Sequence, residues 1–382
     1  MTRMKATACA LLISACLALP LRAHAACPGE IHETPASQNL VALLCAQSKT
    51  DGLQSLLFGA WKGDQPLLTL ALGQSFSGVP AATGMHFRAG IMETEALVAI
   101  LLQLVDAGQV KLDEPIGQWL PTLPHADKVT LQMLADSRSG YPDYLDNPRV
   151  QAIFTSDPFQ PFTNDQILGY AMSQPMAFTP GAGFHYAHTN IVILGLALQK
   201  ITGLSVAQLL QERIFSRLGL DDTKIPTSAD IQAPVQHAFT RDRGFYEDST
   251  YFDPSWASYT GTITTDLRDL AVFQRALGTR SLLSKAGLAE LLTQINVGSS
   301  PQMTKQFYYG LGVIVANTWI LEHARVSGYD VVMAYLPSRD LTIVVSSANG
   351  VTSTNGSGYS ASIFKDVVRL LAPERPIPDQ FI

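Results

Sequence analysis

The chain has few charged side chains for its length, and charges of one sign do not accumulate anywhere along it. Only 15% of the 382 residues are charged, and the formal net charge is −6. A surface that binds nucleic acid or anionic lipid needs a concentration of Lys and Arg. We therefore expect neither nucleic acid nor an anionic lipid surface as a partner.

Several motifs that hold cofactors or nucleophiles are also absent. The sequence contains no Gly-rich phosphate loop of the right spacing, no His-x-x-x-His pair and no Cys-x-x-Cys pair. Phosphate loops and zinc sites depend on such spacings, because these place backbone N–H groups or ligand atoms around one point. The Gly-x-Ser-x-Gly turn of many serine hydrolases is missing as well. We expect no cofactor and no metal ion.

A long apolar run occurs only at the amino terminus. Two basic residues precede an apolar stretch at 6–19, and residues 23–25 read Ala-His-Ala, the small-x-small pattern of a cleavage site. The stretch is too short for a membrane-spanning helix. We predict a signal peptide over residues 1–25 and an exported, periplasmic or secreted mature chain of residues 26–382 without a transmembrane segment. Cleavage removes three basic and no acidic residues, so the net charge of −6 becomes −9.

Cysteine is scarce. Of the four cysteines, Cys9 and Cys16 lie in the predicted signal peptide, which leaves Cys27 and Cys45 in the mature chain. An even pair in an exported protein favours a disulfide between the two, and two free thiols are the alternative.

Hydrophobic periodicity predicts strands and helices at both ends of the chain and a helical, loop-rich middle. The predicted helices are 37–47, 191–202, 206–218 and 360–371, and the predicted strands are 54–61, 67–72, 310–316, 331–336 and 341–346. Since strands at both ends have to bury their apolar faces, we expect one sheet closed by the two termini. The expected division is an α/β lobe from about residues 30–115 and 253–382 and a helical lobe over about 116–252.

The segment from residue 87 to residue 108 combines an extended start with a buried helix. Residues 87–94 read Phe-Arg-Ala-Gly-Ile-Met-Glu-Thr, and apolar side chains follow at 97, 100, 101, 104 and 105. This spacing forms one face of a helix. Gly108 stands where a helix ends, and residues 110–115 read Val-Lys-Leu-Asp-Glu-Pro.

This layout resembles the serine β-lactamase and penicillin-binding-protein superfamily, most closely its class C β-lactamases, D-alanyl-D-alanine carboxypeptidases and family VIII esterases. In that family the segment reads Phe-Arg-x-Gly-Ser-x-x-Lys, ahead of a buried helix and Gly-x-Leu-x-Leu-Asp-x-Pro. Residues 134–144, 180–190, 218–223 and 309–312 match further family segments in register. The resemblance implies an α/β (α+β) fold, in which an antiparallel sheet flanked by N- and C-terminal helices joins a helical lobe. It also implies an active site in the cleft between the lobes.

Two catalytic positions of the family hold residues that cannot perform its chemistry. Ile91 stands where the family has its nucleophilic Ser, and Thr94 stands where it has its Lys. Ile91 has no nucleophilic atom, and Thr94 cannot act as a base near neutral pH. The sequence keeps the frame of the site without its acylation pair.

The second motif of the family, Tyr-x-Asn, is half retained. Tyr186 is present and His188 replaces the Asn. Tyr186 is the one candidate catalytic residue, as a polar group on the cleft floor, and a ring that packs between the lobes is the alternative. His188 is a candidate substrate-binding residue that titrates near neutral pH, and a hydrogen-bonded structural role is its alternative.

The third motif, Lys-Thr-Gly or His-x-Gly on an inner strand, holds the substrate carboxylate in the family. Alignment from Gly328 without a gap puts Glu322, His323 and Ala324 there, whereas a one-residue gap puts His323 first, followed by Ala324 and Arg325. Without a gap, a carboxylate replaces a cation and would repel anionic acyl-D-Ala-D-Ala and β-lactam substrates. Arg325 either restores a positive charge or is a solvated residue on an edge strand.

Two functions follow from this mixture of kept and lost features. The first is a non-acylating relative that binds a small molecule, a peptidoglycan-like ligand or a partner in the old cleft. The second is an esterase or peptidoglycan-peptide hydrolase with an atypical nucleophile. The two differ in whether a covalent probe directed at Ser or Tyr labels the protein.

Overall fold

The structure, a computed structural model, describes residues 35–353 and 358–381. Its centre is an eight-stranded sheet with the strand order β3-β2-β1-β12-β11-β10-β9-β8, in which every neighbouring pair is antiparallel. The strands are β1 (Ser55–Lys62), β2 (Gln65–Phe76), β3 (Val79–Pro80), β4 (Phe87–Arg88), β5 (Phe239–Thr240), β6 (Glu247–Asp248), β7 (Thr264–Thr265), β8 (Phe307–Tyr309), β9 (Ile314–Ala316), β10 (Trp319–Val326), β11 (Tyr329–Leu336) and β12 (Leu341–Ala348). Strands β4 and β7 form one small separate pair, and β5 and β6 form another.

The helices cover both faces of this sheet and form a layer beside it. They are α1 (Pro35–Thr50), α2 (Met92–Asp106), α3 (Leu131–Ala135), α4 (Pro148–Ser156), α5 (Asn164–Met172), α6 (His188–Thr202), α7 (Val206–Leu210), α8 (Ser216–Leu218), α9 (Leu267–Gly278), α10 (Lys285–Leu291) and α11 (Tyr359–Leu371). Helices α1 and α11 pack on one face of the sheet, and α9 packs on the other.

Alternation along the strands sorts the core onto these two faces. Val332 and Val345 face the cluster that includes α1 and α11, whereas Val331 and Val344 face the larger cluster that includes α2 and α9. Successive side chains of a strand point to opposite faces, so each central strand is buried on both sides. The predicted α/β fold with one antiparallel sheet closed by both termini is confirmed, because β1 pairs with β12.

Glycines in left-handed conformations set several element ends. The β1–β2 hairpin turns at Gly63 and Asp64, with Gly63 at a φ of 57°. Gly203 and Gly219 adopt left-handed conformations at the ends of α6 and α8. A left-handed residue costs Gly little because it has no Cβ, so these positions stop a helix or turn a hairpin.

Helix α2 is buried almost all round rather than on one face as predicted. Of its residues, only Gln103, Val105 and Asp106 are not fully buried. The helix contacts α6, α7 and α10, and it shares a core cluster with the sheet. A helix that is apolar on most of its surface is a core helix, which explains the difference.

Two predicted elements are wrong in detail. Residues 310–316 are not one strand, because β8 and β9 are separated by a turn in which Gly312 has a φ of 67° and donates its N–H to the Ala135 carbonyl. The predicted helix over 206–218 is interrupted by a π-helical turn at Gln211–Phe215. The turn at Gly312 depends on a long-range hydrogen bond that periodicity does not register.

The middle of the chain holds α3–α8 and the β5–β6 pair, and the exact lobe boundaries remain a prediction. Cys45 is disulfide-bonded, and its predicted partner Cys27 lies outside the described residues, as does the predicted signal peptide. Within the described part of the chain, no single helix is long and apolar enough to cross a membrane. Only α6 together with the helical stretch to Leu218 passes that test, across an 82° bend.

Candidate active-site cleft

A cavity of about 870 Å³ lies between the start of α2, strand β10 and the helical layer. Its wall includes Ile91, Tyr186, His188 and Glu322, which are four of the residues singled out in the sequence. Much of the remaining wall is aromatic and comprises Phe154, Phe184, Phe252, Trp256, Phe307, Tyr308 and Tyr309. A concave, mostly apolar site with a few polar groups is the usual form of a small-molecule site.

Gly90 fixes how α2 begins at this cavity. Its φ is 61°, and a Cβ at this position would lie 2.5 Å from the Ala324 Cβ and 3.0 Å from the Val326 Cγ2. Helix α2 therefore starts directly against β10. Ile91 follows as the residue before the first helical position and lines the cavity with an alkyl group.

Thr94, one turn into α2, is fully buried, and its hydroxyl has no hydrogen-bond partner in the described part of the chain. Position 91 thus borders the cavity with a hydrocarbon side chain, and position 94 holds a neutral hydroxyl that is buried in the first turn of α2. Neither group accepts or supplies a proton in acyl transfer near neutral pH.

Tyr186 lies on the cavity wall with its ring 5.8 Å from Tyr309 and 5.1 Å from His188, both nearly perpendicular to it. Its hydroxyl is buried without a hydrogen-bond partner among the described residues. Burial raises the pKa of Tyr186 well above its usual range, and the nearby Glu322 and Asp143 raise it further. The phenol therefore stays protonated, which makes it a poor general base.

His188 is held by a carboxylate at the first residue of α6. Its Nδ1 lies 2.7 Å from Asp143 Oδ2, and its backbone N–H donates to the same oxygen at 3.2 Å. Burial opposes ionisation of Asp143, but the hydrogen bonds and charge from His188 outweigh it and lower the pKa of this carboxyl. His188 is therefore both hydrogen-bonded and on the cavity wall, so it combines features of the two roles that the sequence left open.

Strand alternation separates the residues of the third motif. Glu322 points toward α2 and the cavity and is only 1% exposed, whereas His323 points to the opposite face. There, His323 Nε2 lies 2.8 Å from Asp330 Oδ1, and its ring lies 5.8 Å from Phe381. Arg325 shares the strand face of His323 and is exposed. The structure thus brings Glu322 and Tyr186 together, whereas His323 and Arg325, which also border the cavity, direct their side chains to the other face of β10.

Glu322 has a second carboxyl group as its neighbour. Glu95, in the first turn of α2, is fully buried and accepts a long 3.4 Å hydrogen bond from Gln274. Burial raises the pKa of both Glu322 and Glu95, and the proximity of Glu322 raises that of Glu95 further. Two buried carboxyl groups without a cation favour their protonated forms. Sequence reasoning assigned neither Glu95 nor Tyr309 to this site, because Glu95 is not one of the catalytic positions considered and Tyr309 was matched only as part of the segment 309–312.

Glu93, the other acid of the first turn of α2, connects this helix to the segment before β7. Its Oε2 accepts hydrogen bonds of 2.8 Å from both the backbone N–H and the hydroxyl of Thr262. Burial raises the pKa of Glu93 to about 7, although these hydrogen bonds oppose the shift. Its carboxylate is therefore directed to Thr262, and Glu93 is not among the residues that line the cavity.

Replacement of Glu93 by Gln should reduce the pH dependence of stability. The unfolded chain releases this proton near pH 4.5, while the folded protein keeps it to about pH 7, so the free energy of unfolding falls as pH rises between these values. In Glu93→Gln, the free energy of unfolding should fall less over this pH range, by up to about 3 kcal/mol. Urea unfolding at pH 5 and pH 8 measures this, with the exposed Glu290→Gln as control. If the free energy of unfolding falls equally from pH 5 to pH 8 in wild type and Glu93→Gln, the prediction is contradicted.

No group of three or more His, Cys, Asp or Glu side chains in the ranges that the structure describes is arranged to hold a metal ion.

Comparison with known proteins agrees with this geometry. The Beta-lactamase family model matches residues 42–359, and the chain belongs to this family. Penicillin-binding protein 4* of Bacillus subtilis (strain 168) is 25% identical over 311 residues, which cover 74% of this chain and 64% of that protein. Esterase EstB of Burkholderia gladioli is 27% identical over 157 residues, which cover 38% of this chain and 40% of the esterase.

Solved structures extend the fold match over most of the chain. The D-stereospecific amidohydrolase from Streptomyces sp. superimposes with a TM-score of 0.76 at 23% identity, covering 89% of this chain and 99% of that one. The D-amino acid amidase from Ochrobactrum anthropi SV3 superimposes with a TM-score of 0.75 at 21% identity, covering 88% and 98%. The predicted superfamily is therefore confirmed.

Proposed function

We propose that this protein is a non-acylating member of the β-lactamase family that binds a ligand in its cleft. The observation that carries the proposal is Ile91 at the start of α2, facing a preserved cavity of about 870 Å³. Thr94 supplies no base, and Tyr186 stays protonated. A site that keeps its shape but loses its nucleophile retains binding without covalent turnover.

A fluorescent penicillin tests the loss of acylation. We expect no label on the denatured protein, because no acyl-enzyme can form on Ile91. A β-lactam-reactive penicillin-binding protein in the same gel is the positive control. A labelled band whose adduct maps within residues 86–96 would contradict the proposal.

A hydrolase with an atypical nucleophile is the second candidate, since the relatives named above include an esterase and amidases. The observation in its favour is His188 on the cavity wall with Asp143 at 2.7 Å, an arrangement that can orient an imidazole as a general base. Hydrolysis of p-nitrophenyl acetate by wild type, lost in His188→Ala or Tyr186→Phe, would favour this candidate over the first.

We also propose that the protein is exported. It is supported by the basic start, the apolar run and the Ala-His-Ala site of residues 1–25, and by the disulfide at Cys45. We expect a chain that begins at Ala26 with Cys27 bonded to Cys45. The intact mass of the exported protein, with and without reduction, measures both features, and an uncleaved chain would contradict them.

A further inference from the structure

Glu322, Tyr186 and Tyr309 form one polar patch in the largely aromatic wall of the cavity. We call these three residues the carboxyl–tyrosine cluster. Glu322 and Tyr309 are 1% and 4% exposed, and the rings of Tyr186 and Tyr309 lie 5.8 Å apart. The cluster is thus a nearly dry site at the edge of a ligand-sized space.

Each member of the cluster carries a polar atom without a hydrogen-bond partner. Within the described residues, Glu322 Oε1 and the hydroxyl oxygens of Tyr186 and Tyr309 are all buried and unpartnered. Leaving a buried polar group without a hydrogen-bond partner destabilises the protein. All three oxygens can accept a hydrogen bond; the tyrosine hydroxyls can also donate one, whereas an ionised Glu322 can only accept. An occupant with several N–H donors would satisfy all three oxygens at once.

The charged groups around the cluster also favour a ligand with a positive charge. The titratable groups that face it are Glu95 of α2, which lies next to Glu322, Asp136, whose charge acts on Tyr309, and the hydrogen-bonded pair of His188 and Asp143 beside Tyr186. Of the two arginines on the cavity wall, Arg243 is paired with Glu247 at 2.8 Å, and Arg325 lies on the opposite strand face. No Lys lines the cavity in the parts of the chain that are described.

The rest of the cavity wall favours contact with an apolar part of a ligand. Phe184, Trp256 and Tyr308 line the same cavity, and aromatic faces attract both apolar groups and cations. A ligand that fills this space therefore needs a hydrocarbon or aromatic part joined to a group with several N–H donors.

We propose that the cleft takes a ligand with a protonated primary amine on an apolar body, and that Glu322, Tyr186 and Tyr309 accept hydrogen bonds from the ammonium group. This inference rests on the proposed function and names its ligand class. The ammonium supplies three donors for three unpartnered acceptors, and its charge compensates the negative charge of ionised Glu322. Ammonium binding favours ionised Glu322, so the complex releases a proton from the pair of acids.

Three matched probes test the inference: phenethylamine, 2-phenylethanol and 3-phenylpropionate, which share a phenyl body and differ in the polar group. Calorimetric titration of the full-length mature protein should show that the amine binds at least about tenfold tighter than the alcohol, since charge-assisted hydrogen bonds contribute about 1.5–3 kcal/mol. The carboxylate should bind most weakly. Heats of binding measured in buffers of different ionisation enthalpy should show that, of the three probes, only the amine causes release of a proton.

Two variants locate the effect. Glu322→Gln should remove most of the preference for the amine over the alcohol, and Tyr309→Phe should reduce it about fivefold, because one hydrogen bond is worth about 1 kcal/mol. The exposed Glu290→Gln is the matched control and should behave as wild type. Thermal unfolding verifies that each variant is folded, and Tyr309→Phe keeps the test decisive if Glu322→Gln does not fold.

The outcomes separate the inference from the proposed function. Equal affinity for amine and alcohol, or a preference that survives in both Glu322→Gln and Tyr309→Phe, overturns the amine assignment while ligand binding in the cleft stands. If none of the probes binds and a fragment screen finds nothing in the cleft, both the inference and the proposed function fail.

Discussion

The double substitution Ile91→Ser with Thr94→Lys should give slow but measurable acylation by p-nitrophenyl acetate. Positions 91 and 94 are three residues apart at the start of α2, so a hydroxyl and an amine there lie on neighbouring points of one helical face. The start of the helix also favours developing negative charge. A positioned base contributes about 10²–10⁴-fold, so the double variant should exceed both single variants by at least about tenfold. Release of p-nitrophenol and a mass increase of one acetyl group measure it.

The single variants are the matched controls. Ile91→Ser should stay inert, because Thr94 and the protonated Tyr186 do not take its proton. Thr94→Lys should also stay inert and should lose stability, because position 94 is fully buried. β-Lactam turnover should remain poor even in the double variant, since Glu322 supplies no positive charge to hold a substrate carboxylate. If wild type already hydrolyses the ester as fast as the double variant, and Tyr186→Phe abolishes that rate, the non-acylating proposal fails.

Gly90→Ala should be strongly destabilising, by about 3 kcal/mol. A left-handed backbone costs an L-residue about 1–2 kcal/mol, and overpacking adds about 1–3 kcal/mol. Both apply at Gly90, since its φ is 61° and the new Cβ would lie 2.5 Å from the Ala324 Cβ. Urea unfolding measures the loss. The variant should also weaken binding in the cleft, because helix α2 and β10 have to move apart.

Gly108→Ala separates the contribution of backbone strain from that of overpacking. Gly108 has a φ of 68°, but no other side chain or backbone atom lies within 4 Å of a Cβ built there. We expect a loss of about 1 kcal/mol from backbone strain alone. Adding Ala324→Gly to Gly90→Ala removes the closest contact and should recover part of the larger loss. Equal losses in Gly90→Ala and Gly108→Ala, with no recovery in the double variant, would show that the close approach to β10 is not the cause.

The sequence indicated those parts of the fold whose causes are local. The hairpin at Gly63 and the helix ends at Gly203 and Gly219 follow from backbone freedom at single residues. The strand predicted over 310–316 failed because Gly312 and its neighbour bond to Ala135 and Leu291, far away in sequence. Periodicity within a segment carries no information about such distant partners.

The candidate site, like the fold, could be predicted only in part from the sequence. Motif spacing was enough to place Ile91, Thr94 and Tyr186 around the start of α2. It left open whether Glu322 or His323 belongs to the third motif, because a single-residue shift of a strand exchanges its two faces. In the structure, Glu322 is buried, whereas His323 lies 2.8 Å from Asp330 on the other face of β10. Glu95 and Tyr309 join the site only through the packing of α2 against the sheet.

The pairing of β1 with β12 constrains the order in which a growing chain can fold. Ser55 pairs with Ala348 and Lys62 with Leu341, so the middle of the sheet joins its first and last strands. During synthesis the β1–β2 hairpin exists long before its neighbour on the other side, and closing so long a loop is slow. Until β12 has been made, β1 offers an apolar, unpaired edge that is open to pairing with other chains.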